Sequence, residues 1–151
     1  MATNLTDFTA QTHGFAFENA FPFSFPIEYE LPYAGTVALS RVVPGLCGGM
    51  CYTALDYYIS RQALPEARSA VELSDRFVTY LSERHVDSLS LAKVLKIIEW
   101  TMMDPGDNAA LSSRLETPRL RRWLRRGYPA PAVLIRRSGA GSPLENTIVL
   151  A

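Results

Sequence analysis

Two adjacent glycines, Gly48 and Gly49, fall in the first turn of a stretch that otherwise reads as one helix, from about Gly48 to Arg61. Each costs such a helix roughly 1 kcal/mol relative to alanine, through the backbone freedom it loses. A chain that keeps both must recover that energy, and the usual source is a close approach to the backbone at that turn. Cys47, Cys51, Ala54, Leu55, Tyr58 and Ile59 recur at core spacing along the same stretch. Pro44-Gly45 just upstream separates it from any preceding strand.

The segments on either side specify an α+β chain. Residues 1–14 are polar and form a flexible N-terminus, and residues 15–151 form a single domain. Phe15, Phe17, Phe21, Phe23 and Phe25 alternate with smaller residues, while Pro22 and Pro26 confine them to an edge strand or a wrapping arm. Ile27, Tyr29 and Leu31 alternate with Glu28 and Glu30, and Thr36–Val43 reads as a further short strand. Three more helices are expected after the first. One opens on the capping box Ser69-Ala70-Val71-Glu72 and buries Leu73, Phe77, Tyr80 and Leu81. The next starts near Ser88 or Ser90, turns Leu91, Val94, Leu95 and Ile98 inward, and ends before a turn at Asp104-Pro105-Gly106-Asp107. The last is capped by Thr117, carries Pro118 at its first position and Gly127 just past its end, with Leu120, Trp123 and Leu124 as its apolar face. Residues 108–115 form an extra turn leading into it. Two apolar runs, Pro131–Arg137 and Asn146–Ala151, flank a Gly/Ser-rich loop and predict an antiparallel hairpin buried on both faces.

Charge is balanced overall, fifteen basic against fifteen acidic residues, so no global field favours nucleic acid or an acidic membrane. Locally it is not: from Arg114 to Arg137 there are eight arginines and only Glu116 to oppose them. A solvated face is the ordinary reading of the arginines between residues 118 and 126, and the lack of interleaved aromatics on their polar side argues against single-stranded nucleic acid. No apolar run reaches the roughly 20 residues that cross a bilayer, and Met1–Gln11 lacks a signal-peptide pattern. A cytoplasmic setting with reduced thiols is expected. A structural zinc site needs four ligands, and two histidines at remote positions are a poor supply beside the two cysteines; no cofactor is implied.

The chemistry-bearing segment is Leu46-Cys47-Gly48-Gly49-Met50-Cys51-Tyr52. A cysteine in the first turn of a helix gains thiolate character, because free N–H groups and the helix dipole favour negative charge there. Such a thiolate attacks a carbonyl carbon while neighbouring backbone N–H groups hold the oxyanion. Cys47 is then the nucleophile, with Gly48 and Gly49 admitting substrate to the backbone. Equally, Cys47 and Cys51 read as two small buried hydrophobes on one helix face. A bridge between them is disfavoured, since residues four apart on a helix hold their Cβ atoms about 5–6 Å apart and a disulfide wants about 3.8 Å.

Gly45-Leu46-Cys47-Gly48-Gly49 is similar to the Gly-x-Cys-Gly stretch around the nucleophile of papain-like peptidases, with a different cysteine spacing. The whole chain resembles a group of bacterial papain-like or bacteriocin-leader-peptidase-like proteins. The resemblance rests on Phe15-x-Phe17-x-Asn19-x-Phe21, on Gly45–Met50 with Ala54-Leu55-Asp56-Tyr57-Tyr58, on Asp87-Ser88-Leu89, and on Leu124-x-x-Gly127-x-Pro129. It spans most of residues 15–150 and implies a papain-like core with Cys47 as nucleophile. It also implies a histidine on the last strand, within an Asn-His-Gln-Val-Leu run. This chain has Asn146-Thr147-Ile148-Val149-Leu150, so Thr147 stands where the base is expected, and the fold's later strands are expected to be missing. Threonine is no base near neutral pH. His85, at the end of the second helix, and His13, in the N-terminal segment, are the other imidazoles, each more often a bland surface residue than a base.

The function expected is that of a catalytically degenerate hydrolase relative serving as a binding or assembly module. The alternative is an active thiol hydrolase or acyltransferase using Cys47, with a base supplied by a partner chain. Thr147–Leu150 is β-branched and apolar, so pairing with a second copy or a partner polypeptide through this strand is expected, and a peptide-like ligand is compatible with the scaffold.

Overall fold

The computed structural model describes residues 6–21, 28–31, 35–38, 46–135 and 147–150. It is mostly helical: α1 (Ala10–His13), α2 (Cys47–Ile59), α3 (Asp75–Ser88), α4 (Leu91–Met102), α5 (Pro105–Leu111) and α6 (Thr117–Leu124). Two small antiparallel sheets accompany the helices, β1 (Glu28–Leu31) with β2 (Gly35–Ala38) and β3 (Pro131–Leu134) with β4 (Thr147–Leu150). The expected C-terminal hairpin is present, with Pro131 opposite Leu150 and Leu134 opposite Thr147. It is not buried on both faces: Pro131 and Leu134 of β3 are exposed, while Ala132 and Val133 between them are half-buried.

α2 and α3 form the centre, packed along most of their length. The main core joins Leu46, Ala67, Leu73 and Leu81, and Phe15, Phe17 and Phe21 lie against it with Met50, Phe77 and Val78. The phenylalanine segment is therefore a wrapping arm over residues 15–21 and adopts no strand there; the expectation for Phe23 and Phe25 lies outside the described residues, as does the stretch from Leu39 to Val43. Fully burying Leu46 and Leu81 contributes on the order of 2–3 kcal/mol each. A second, smaller cluster joins Cys47 and Leu89 with Cys51, Val94 and Val133, and ties α2 to the start of α4 and to β3.

α2 spans Cys47–Ile59 and closes through Arg61, which sits in the left-handed region at φ 56°. The Arg61 and Gln62 N–H groups donate to the carbonyls of Tyr58 and Tyr57, the pairing by which glycine usually ends a helix. Ile59 and Tyr58 correct the expected apolar face. Ile59 is exposed, and Tyr58 points its hydroxyl to Thr6 and Asp7. The buried side of α2 instead runs through Cys47, the two glycines, Thr53 and Ala54.

Three other boundaries differ from the sequence reading. The capping box does not form as expected: Ser69 Oγ lies 3.0 Å from Glu72 Oε1 and makes no bond to a backbone N–H, and the Arg68 N–H rather than that of Ser69 donates to Glu72 Oε2, at 2.9 Å. The segment makes only a single 3₁₀ turn, Ala70–Glu72, and α3 starts three residues later under Ser74, whose Oγ accepts from the Phe77 N–H. The expected turn at Asp104 is a helix start: Asp104 caps α5 with Pro105 in its first turn. A turn signal and a helix N-terminus share the same Asp-Pro chemistry, which is why the sequence could not separate them. Finally, Thr117 does not cap. The helical path runs on from α5 through a π-helical turn, Ser112–Glu116, into α6, so Thr117 is already helical and α6 begins without a side-chain cap. The end of α6 is as expected, with Gly127 at φ 79° and its N–H on Leu124 O.

Side chains on the outer seam of α2 and α3 lock the pair. Asp56 accepts from Arg84 Nε at 2.6 Å, from Arg84 Nη2 at 2.9 Å and from Tyr80 Oη at 2.7 Å. A fork of this kind fixes both side chains in one geometry. Desolvation, and then the Asp56 carboxylate, push the Tyr80 hydroxyl up to about 12. Tyr52 completes the seam, its ring under Arg84 and its hydroxyl accepting from Lys93 Nζ at 2.9 Å.

Candidate functional site

Cys47 is the first residue of α2, where the sequence places it. Leu46 precedes it as a cap without a side-chain hydrogen bond, and its own N–H is held by Asn19 Oδ1 of the wrapping arm at 2.7 Å. The arm residue Asn19 thereby fixes the approach of the chain to the cysteine turn. Cys47 itself is only 8% exposed and packs against Leu89 and its neighbours. Gly48 and Gly49 are buried as well.

The closest approach at this turn comes from α3. A Cβ built on Gly49 would stand 2.2 Å from the carbonyl oxygen of Leu81 and 3.1 Å from His85 Cβ. The Gly49 N–H donates to His85 Nδ1 at 3.3 Å. The sequence argument that something must come close to the glycine doublet is met by a neighbouring helix.

His85 is 1% exposed, not a surface residue as the sequence suggested. Burial pushes its pKa down to about 4, so the imidazole is neutral at pH 7. With Nδ1 accepting from Gly49, the neutral ring carries its proton on Nε2. An imidazole in this state is a weak base, and the hydrogen bond it accepts uses one of the N–H groups that an oxyanion would need. The signal that could have found it is positional: Phe77, Leu81 and His85 recur four apart on the buried stripe of α3.

The other sequence candidates lie apart from this turn. His13 is in the last turn of α1, stacked on Phe8 at 5.3 Å and edge-on to Tyr58 at 5.0 Å. Tyr58 is eleven residues along α2 from Cys47, on the order of 16 Å at the helical rise of 1.5 Å per residue. Thr147 begins β4, opposite Leu134, and β4 packs along α2. No disulfide joins Cys47 and Cys51, and burial, with Cys47 beside it, raises the Cys51 thiol to about 12. No group of three or more His, Cys, Asp and Glu among the described residues is arranged to hold a metal. No helix among them is long and apolar enough to cross a membrane.

The grooves of the surface lie elsewhere. One of about 710 Å³ runs between α1 and the end of α2, lined by Asp7, His13, Tyr58 and Tyr128. Another of about 500 Å³ lies between α4, α6 and β3, over Trp100 and Trp123. Neither has Cys47, Gly48 or Gly49 in its lining. No family model, no curated protein and no solved structure matches this chain.

Proposed function

We propose that this chain is a catalytically inert relative of papain-like cysteine hydrolases, kept as a binding and assembly module. The observation that carries the reading is the hydrogen bond from the Gly49 N–H to a buried, neutral His85, beside a cysteine that is itself enclosed. Groups that a hydrolase would turn toward substrate are turned toward α3 instead. The β4 strand lying along the cysteine-tipped α2 supports the likeness to the papain-like layout. Assembly runs through β4: among the described residues only β3 pairs with it, and its other edge takes a strand from a second copy or from another polypeptide.

The alternative, a thiol hydrolase using Cys47, is favoured by the position of that residue in the first turn of α2. Alkylation separates the two. In the inert reading, iodoacetamide labels Cys47 of the native protein at least about tenfold more slowly than in urea at every pH from 5 to 8. Peptide mapping distinguishes Cys47 from Cys51. Fast labelling of Cys47 below pH 7, with ester turnover that vanishes in Cys47→Ala, would establish the hydrolase.

Assembly has its own measurement. Light scattering behind size exclusion should give a mass above that of the 16.8 kDa monomer at micromolar concentrations, or a complex with a captured strand-donating peptide. A monomer that persists to high micromolar concentration and takes up no peptide along β4 would remove this part of the reading.

A further inference from the structure

The groove between α4, α6 and β3 has properties the cysteine turn does not explain. Its floor is apolar and aromatic, with Ile97 and Trp100 from α4, and Leu120 and Trp123 from α6. Trp123 is 53% exposed and Leu134 on the opposite bank is 48% exposed, so large apolar surface is left uncovered on both sides. Such surface rimmed by charge marks an interaction site more often than chance exposure does.

The rim is basic. Lys93, Lys96 and Arg119 line the groove against the single carboxylate Glu116. Glu116 is shared by two of them, at 2.6 Å from Lys96 Nζ and 3.2 Å from Arg119 Nη1, which leaves a surplus of positive charge. Lys96 also lies 5.2 Å from the centre of the Trp100 ring, and the Arg126 guanidinium 5.3 Å from that of Trp123. The Lys96–Trp100 pair lies within the groove lining, and Arg126 stands beside it against Trp123.

The third bank is a strand edge. Six consecutive residues, Ala130–Ile135, border the groove. A strand's face contributes alternate residues, whereas its edge contributes consecutive ones. Among the described residues β3 pairs only with β4, and none of them forms a strand on its other backbone edge.

We propose that this groove docks an extended, acidic peptide segment of a partner protein, which adds to β3 as a strand. Its backbone pairs with the β3 edge, alternate apolar side chains enter over Trp100 and Trp123, and its carboxylates meet Lys93, Lys96 and Arg119. Main-chain pairing supplies affinity in this mode and the side-chain pockets supply selectivity. The docking does not rest on the state of Cys47, and it uses the opposite edge of the sheet from β4.

The chain's two tryptophans are both in the groove, so tryptophan emission, excited at wavelengths where the seven tyrosines do not absorb, reports on it. The probe is an acetylated peptide of alternating leucine and glutamate, about ten residues long, the upper end of ordinary strand length. Titration should give a saturable blue shift, protection from acrylamide quenching, and weakening with added salt. Replacing its glutamates with lysine should abolish the effect. Lys93→Gln with Arg119→Gln, both exposed side chains, should weaken binding about fivefold while the far-ultraviolet spectrum stays unchanged. Trp123→Phe gives an independent check, since the remaining Trp100 signal should still shift. The proposal is overturned if the acidic peptide leaves emission unchanged at millimolar concentration, or if the lysine peptide acts equally. A saturable response to single-stranded DNA or to anionic vesicles in place of the peptide would overturn it too.

Discussion

Gly49→Ala should be among the most damaging single substitutions in this chain, lowering stability by about 1–3 kcal/mol net. An added Cβ would stand 2.2 Å from the Leu81 carbonyl oxygen and 3.1 Å from His85 Cβ. The first neighbour is backbone of another helix, so no side-chain rotation relieves it; α2 and α3 must move apart. That separation opens the cluster of Leu46, Ala67, Leu73 and Leu81 and stretches the bond from Gly49 to His85 Nδ1. Overpacking of this kind costs about 1–3 kcal/mol or more, and the loss of a buried hydrogen bond adds roughly another 1. The gain from alanine's better helix propensity, about 1 kcal/mol, does not offset it. In thermal melts the midpoint should fall by about 2–12 °C, at the few degrees per kcal/mol expected for a chain of this size. A variant as stable as the parent would show that the glycine is not there for α3.

That the turn at Gly49 is tightly approached was legible in the sequence; what approaches it was not. A glycine doublet in a helix states a cost, and physics asks for a compensation, but the sequence carries no label for the partner. The resemblance to a hydrolase suggested substrate, and the structure supplies Leu81 and His85. The C-terminal hairpin was legible because two short apolar runs around a Gly/Ser loop have few other solutions. The stop at Gly127 was legible because only a residue tolerant of φ near 79° fits there. The start of α6 was not. Thr117-Pro118 reads as a cap and first position, yet α5 runs into it through the π-helical turn, and nothing local in Ser112–Glu116 forbids that continuation. Trp123 shows a further limit. Its spacing with Leu120 and Leu124 marks an apolar face, but whether a face meets the core or a groove depends on elements far along the chain.

His85 should make the protein lose stability on mild acidification, in a window that its carboxylates do not share. The imidazole is buried, and desolvation of its charged form holds its pKa at about 4 in the folded state against an ordinary value near 6.5. The folded pKa is the lower one, so between those limits the unfolded chain binds a proton that the folded chain refuses. Stability therefore rises with pH across that window, is complete above about pH 6.5, and is lost progressively as pH falls toward 4. At 1.36 kcal/mol per pH unit, moving from pH 7 to pH 5 should cost about 2 kcal/mol from this group alone. Glu72 and Glu116, whose carboxyls are held below the ordinary range by hydrogen bonds from Arg68 and Lys96, lose their contribution at lower pH. His85→Asn isolates the effect, because an amide oxygen can accept the Gly49 N–H and does not titrate. Urea unfolding of parent and variant at pH 7 and pH 5 should show the parent's extra loss of about 2 kcal/mol removed by the substitution. Equal pH slopes in the two proteins would mean that His85 is hydrated and protonates freely in the folded state. The assignment of Gly49 and His85 to a closed α2–α3 contact would then fail with it.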